Sequence, residues 1–150
     1  MRGIEFELPS SAISKYPGCY LTILLKNVPL DKNQVVVSDG TVYKQKEYFQ
    51  LSDFIVKKQL RDILFSEVLL LSAILQFYPE NSMVSEINTY EDFLASNCKL
   101  MLIITDCYFI EIYFKDSGWL LTLLKNAENL GAISISIKTD ITDGRNEMYV

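Results

Sequence analysis

Residues 3 to 8 alternate, with Ile4, Phe6 and Leu8 on one side and Glu5 and Glu7 on the other, the two-residue period of a half-buried strand. Pro17 suits the first turn of a helix that carries Tyr20, Ile23 and Leu24 on one face and stops near Asn27 and Pro29. Asp39-Gly40 favours the positive φ angles of a type I′ turn and is flanked by Gln34 to Ser38 and Thr41 to Gln45, which predicts a hairpin. Ser52-Asp53 can cap and charge the start of another helix, whose Val56, Leu60, Ile63 and Leu64 share a face. From Glu67 to Phe77 the chain is apolar on both faces, as a strand covered on both sides would be, and periodicity alone leaves a buried helix open. The cluster Tyr78-Pro79-Glu80-Asn81-Ser82 ends that segment in a turn.

Met83 to Ile87 reads as a weak strand, and Thr89-Tyr90-Glu91-Asp92 has the form of a capping box before Phe93 and Leu94. Two β-rich runs, Lys99 to Thr105 and Tyr108 to Phe114, flank Asp106-Cys107 and predict an antiparallel hairpin. Asp116-Ser117-Gly118 opens a helix with Leu120, Leu123, Leu124 and Ala127 on one face, and Gly131 suits a left-handed C-cap. Ala132 to Lys138 sets Ile133, Ile135 and Ile137 against Ser134, Ser136 and Lys138, a strand with one wet face. Asp143-Gly144 turns a last strand ending in Met148-Tyr149-Val150.

These elements predict a single α+β domain over residues 1–150, a mostly antiparallel sheet with helices packed on it. As an order, residues 3–75 run strand, helix, hairpin, helix, strand, and residues 83–138 run the same way. Two fused βαββαβ, ferredoxin-like units, a pseudo-repeat of 1–80 and 81–150, are therefore the alternative topology, although the residues themselves do not repeat.

Composition narrows the function. The 150 residues are 49% hydrophobic and 22% charged, as in a packed chain of one-domain length. Fourteen Lys and Arg against nineteen Asp and Glu give a net charge of −5, with no basic footprint for nucleic acid or an anionic membrane. The chain contains no His, which removes the commonest general base and metal ligand and any imidazole-dependent triad. Its glycines form no phosphate-cradling motif, and no cofactor or metal is expected. The first eight residues lack the apolar core of a signal peptide, and the window Val68 to Tyr78 is well short of the ~18 residues of a membrane span. The expected location is cytoplasmic, with Cys19, Cys98 and Cys107 as reduced, partly buried thiols.

Candidate chemistry rests on acids. Glu5, Glu7, Asp106, Glu111 and Asp116 converge if the first strand lies beside the 99–114 hairpin, and paired acids can do acid/base work when burial drives their pKa values apart. Alternation makes Glu5 and Glu7 equally at home on a solvated face. Glu111 sits between Tyr108-Phe109-Ile110 and Ile112-Tyr113-Phe114, so a central strand would bury it and demand a partner. Thr139-Asp140-Ile141-Thr142-Asp143-Gly144-Arg145 lacks the EF-hand pattern, and a turn with Arg145 paired to a nearby Asp explains it more simply. Most aromatics belong in the core, while an exposed remainder near Trp119 or Tyr48-Phe49 would mark a protein interface. The candidate ligand or interface residues are Glu111, Glu5, Glu7 and Trp119; none is assigned as catalytic.

With the opening Met1-Arg-Gly-Ile-Glu-Phe-Glu-Leu8, three stretches carry a resemblance: Asn88-Thr-Tyr-Glu-Asp-Phe-Leu94, Asp106-Cys-Tyr-Phe-Ile-Glu-Ile-Tyr113 and Thr139-Asp-Ile-Thr-Asp-Gly-Arg145. Together they resemble an uncharacterised family of small proteins from Bacillus-type Firmicutes, a domain of unknown function. The resemblance implies a bacterial cytosolic source and brings no activity, cofactor or catalytic residue. In that family the closing motif reads Thr-Asp-Glu-Asn-Asp-Gly-Arg; here Ile141-Thr142 stand in place of Glu-Asn, which removes an acid. The expected function is non-enzymatic binding of another protein, of the antitoxin or immunity-partner kind, whose negative charge steers it to a basic target. The alternatives are a small-molecule binder or His-free enzyme using the clustered carboxylates, and a homodimer joined through an edge strand.

Overall fold

The computed structural model describes residues 1–15, 20–50 and 69–150; the helix expected at 52–64 and the helix start at Pro17 lie outside the described residues. In chain order the elements are β1 (Gly3–Glu7), α1 (Ser10–Lys15), α2 (Tyr20–Leu24), β2 (Asn33–Lys44), β3 (Glu47–Gln50) and β4 (Leu69–Pro79). They continue with α3 (Tyr90–Ala95), β5 (Leu100–Thr105), β6 (Phe109–Phe114), a 3₁₀ turn (Ser117–Trp119), α4 (Leu120–Asn129) and β7 (Ile133–Lys138). The strands form one sheet in the order β3-β2-β4-β5-β6-β1-β7, and every neighbouring pair is antiparallel.

The expected α+β architecture is present, but not as two βαββαβ units. β1 does not join β2 and β4; it crosses the molecule to lie between β6 and β7, so strands from both ends of the chain interleave in one sheet. Among the described strands one split βαβ is present, β6-α4-β7 with β1 between its two parallel strands, but its central strand comes from the other end of the chain.

Both faces of the sheet are covered at its centre, which explains the continuous apolar runs. On one face Ile4, Phe6, Leu102, Ile104, Ile110 and Ile112 meet Leu21 and Leu24 of α2 and Leu123 and Ala127 of α4 in the larger core. On the other, Ile74, Tyr78, Met101, Ile103 and Tyr113 pack under Tyr90 and Phe93 of α3, with Ile87, Cys98 and Met148. Residues 69–79, open between strand and buried helix on periodicity, form a strand sheathed on both sides. Helix α2 has only five residues, too few to stand alone. The buried Asn126 of α4 secures its end, donating from Nδ2 to the carbonyls of Leu24 at 2.8 Å and Lys26 at 2.7 Å. No helix among the described residues is long and apolar enough to cross a membrane.

Three expectations are corrected. Asp39-Gly40 does not turn: β2 runs straight through it, pairing Asp39 with Ile74 and Gly40 with Ala73 across a register shift. The eleven-residue β4 offers a ladder along the whole of β2, which outweighs the local turn preference. The hairpin instead forms at Gln45-Lys46, whose φ values are 51° and 68°. Met83 to Ile87 forms no strand, although Ile87 is buried and the Ser85 carbonyl accepts the Tyr78 hydroxyl at 3.0 Å. The expected last strand reduces to one bridge, Thr89 to Glu147.

Candidate functional site

The register of the sheet puts Glu5 of β1 directly opposite Glu111 of β6 and, on its other side, Ser136 of β7. Like charges facing each other across strands repel, and the sequence resolves this with Lys138. On β7 Lys138 lies across from Gly3, and Gly3 lies across from Tyr113 of β6. Because Gly3 has no side chain, the lysine can reach over β1. Its ammonium sits 5.3 Å from the centre of the Tyr113 ring, 2.6 Å from Glu111 Oε1, 2.8 Å from Glu5 Oε2 and 3.1 Å from Asp143 Oδ1. A Cβ at position 3 would also run into the Ile112 carbonyl, so two neighbouring strands require this glycine.

The segment after β7 closes the network. Asp143, with its side chain only 1% exposed, takes the Arg145 amide on Oδ1 at 3.1 Å and faces Arg2 Nη1 from Oδ2 at 3.6 Å. Arg145 reaches back over the sheet, with Nη2 2.7 Å from Glu111 Oε2, Nε 3.1 Å from Glu111 Oε1 and Nη1 2.7 Å from the Tyr149 carbonyl. Arg2 stacks on Tyr90 at 4.1 Å and pairs with the exposed Asp140 at 2.8 Å.

Electrostatics follow from the geometry. Burial pulls the Lys138 ammonium down, but hydrogen bonds to Glu111, Glu5 and Tyr113 outweigh it and hold the lysine above its ordinary value. The Lys138 hydrogen bond, helped by that of Ser136, holds the Glu5 carboxyl below the usual carboxylate range. Burial, with Glu111 nearby, pushes the Tyr113 hydroxyl up.

Beside the network lies a cleft of about 370 Å³ lined by Glu5, Glu7, Glu111, Arg145, Ser134 and Phe109, among others. At its outer end Glu7 has Phe109, which also lines the cleft, across from it on β6 and Ile133, just beside the cleft, on β7, and both apolar side chains are about half exposed. Ser134 enters the cleft through a bulge, where β7 carries an extra residue between the partners of Glu5 and Glu7 and Ser134 takes φ 55°. Bulges re-aim side chains in this way beside functional sites.

Of the sequence candidates, Glu5, Glu7 and Glu111 come together at this cleft, and Glu111 has the partner its place demanded. Trp119 does not join them; it packs half-buried against the larger core at the start of α4. Asp106 and Asp116 are exposed and do not line the cleft. The Arg145 side chain pairs with Glu111 rather than with a nearby Asp. Sequence reasoning missed Lys138 and Arg2: alternation placed Lys138 with Ser134 and Ser136 on a wet face, and only the pairing of β7 with β1 shows what it meets.

The match to known families covers almost the whole molecule: residues 1–149 fit the family described as "Protein of unknown function (DUF2691)". The chain is 34% identical over 76 residues to "Uncharacterized protein YncE" of Bacillus subtilis (strain 168). That stretch is 51% of this chain and 50% of the relative, so the match spans about half the length of that curated protein. No solved structure matches. Given the agreement over residues 1–149, the chain belongs to the DUF2691 family.

Proposed function

We propose that this chain is a binding protein whose acidic cleft receives the basic side chain of another protein. The observation that carries this reading is the row Phe109, Glu7, Ile133, an acid flanked by two half-exposed apolar side chains. Among the described residues Glu7 enters no ion pair, whereas the one cation lining the cleft, Arg145, is committed to Glu111 and the Tyr149 carbonyl. A side chain with an aliphatic stem and a cationic tip matches that row, the stem against Phe109 and Ile133 and the tip at Glu7. The net charge of −5 steers basic partners toward the protein. General acid catalysis at Glu5 is disfavoured, because an acid working near neutrality needs its pKa raised and Lys138 shifts this one the other way.

The test is an NMR titration with N-acetyl-arginine amide, an arginine side chain without backbone charge. The amides of Glu7, Phe109 and Ser134 are expected to shift together, with the response lost in Glu7→Gln and weakened by salt. Shifts elsewhere, or shifts indifferent to Glu7→Gln, would overturn the proposal. A second reading is favoured by the volume of the cleft, about 370 Å³, which falls within the roughly 300–1,000 Å³ of small-molecule sites. Cadaverine in the same titration separates the two, since a much tighter response to the diamine would favour a free organic amine.

A further inference from the structure

We propose that the partner's segment is an extended stretch of polypeptide, held along its backbone by the peptide group of Glu147 while its basic side chain enters the acidic cleft. The placing of the side chain rests on the proposed role of that cleft, whereas the backbone contact rests on other atoms. After β7 the chain returns over the sheet, and Glu147 pairs with Thr89 in an isolated antiparallel bridge. Around the bridge the Tyr90 amide donates to the Asn146 carbonyl at 3.1 Å and the Met148 amide to the Asn88 carbonyl at 2.8 Å. Bonds at the flanking residues make Thr89 and Glu147 the non-hydrogen-bonded pair, so the amide and carbonyl of Glu147 point away from residue 89. That amide takes part in no hydrogen bond among the described residues, and the carbonyl has only a long contact from Arg145 Nη1 at 3.5 Å. An extended segment with one edge paired and the other open is a template for another strand.

The open edge lies beside a second cleft. Arg145, which the Glu147 carbonyl meets, lines a hollow of about 540 Å³ together with Glu147, Asn146 and Tyr149. Thr105 and Arg145 line this hollow and the acidic cleft alike, so the two adjoin across these side chains. The segment is already fixed in its extended form, with Met148 buried in the smaller core and Arg145 Nη1 holding the Tyr149 carbonyl at 2.7 Å. Binding therefore has little left to order on this side. A peptide answers a donor and an acceptor on one residue with an acceptor and a donor of its own; a free amine has no acceptor to offer the Glu147 amide. Charge selects the kind of peptide. Glu5, Glu7, Glu111 and Glu147 line the two clefts with Arg145 as the one cation, and a basic segment complements that balance. The exposed Tyr149 ring supplies an apolar wall beside it.

NMR titrations of the whole chain with two probes test this: ethylguanidinium, which has no peptide group, and the capped peptide acetyl-Ala-Ala-Arg-Ala-Ala-amide. Ethylguanidinium is expected to shift the amides of Glu7, Phe109 and Ser134 alone. The peptide should shift these together with Glu147 and Tyr149, slow the exchange of the Glu147 amide, and bind about tenfold tighter for the two backbone hydrogen bonds it adds. Methylating the peptide's backbone nitrogens one at a time should cancel that gain at a single position, the one whose N–H donates to the Glu147 carbonyl; this leaves the protein itself unaltered. A peptide that binds no tighter than ethylguanidinium, or that leaves Glu147 unmoved, would overturn the proposal and spare the role of the acidic cleft. Shifts at Glu147 with none at Glu7 would uphold the backbone contact and sink the role of the cleft instead.

Discussion

At the scale of single residues, Lys138 holds the most charge in place. Three carboxylates, Glu5, Glu111 and Asp143, lie within 3.1 Å of its ammonium, and its own side chain is 6% exposed. Removing one member of a buried ion pair costs about 3–5 kcal/mol, because the remaining charge stays buried without its partner. Lys138→Met is therefore expected to lower the unfolding free energy by about 3–5 kcal/mol in urea titrations. Adding Glu111→Gln to that background should recover part of the loss, since the amide removes one of the repelling charges; a double variant no more stable than Lys138→Met would show that the pair is not coupled. Half of this network was legible in the sequence. A carboxylate between Ile110 and Ile112 in a central strand needs a partner, and Glu111 has two, Lys138 and Arg145. The identity of the partners was not legible, because Lys138 reaches Glu111 by crossing over Gly3 from two strands away, a relation of strand order that one-dimensional alternation does not contain.

At the scale of elements, local chemistry decided the outcome where it agreed with the sheet and lost where it did not. Thr89 accepts the Asp92 amide at 3.1 Å and Asp92 accepts the Thr89 amide at 2.8 Å, the reciprocal cap read from Thr-Tyr-Glu-Asp. This six-residue helix carries Tyr90 and Phe93 into the smaller core, and Thr89 also bridges Glu147. Thr89→Ala is expected to cost about 1 kcal/mol of global stability, and the amides of α3 and Met148 should exchange faster together, as parts of one locally opening unit. Faster exchange in α3 with Met148 unaffected would separate the helix from the C-terminal segment. The β5–β6 hairpin was legible for the same reason of agreement: two β-rich runs flank Asp106-Cys107, which turn the chain together with Tyr108 and both take positive φ, 51° and 70°. Asp39-Gly40 carried the stronger local turn signal and yielded to β4, whose length is set by burial on both faces of the sheet. The early helix α1 went unpredicted because Ser10 to Lys15 buries only Ala12 and Ile13, too few positions to display a helical period.

At the scale of the molecule, the absence of histidine leaves a wide pH range in which little titrates, bounded on each side by groups already described. On the acid side the Glu5 carboxyl is held low by Lys138, Asp92 by the Thr89 cap and Asp140 by Arg2. A carboxyl depressed on folding contributes stability above its unfolded pKa of about 4 and loses it as the pH falls through the folded value. On the alkaline side burial pushes the Cys98 thiol up to about 12, while the unfolded thiol ionises near 8.5. Above that pH the unfolded chain gives up a proton that the folded chain keeps, so stability falls by at most about 1.4 kcal/mol per pH unit for this group. Cys107, raised by burial, acts in the same sense, and Tyr20, Tyr113 and Lys138 join at higher pH, all held above their ordinary values. The urea midpoint is expected to stay level from about pH 5 to 8, fall below about 4.5 and fall again above about 9. Cys98→Ala should reduce the slope between about pH 9 and 10 without abolishing it, because Cys107 remains. An alkaline limb unchanged in that variant would mean that Cys98 ionises alike in both states, and the decline would then belong to the tyrosines and Lys138.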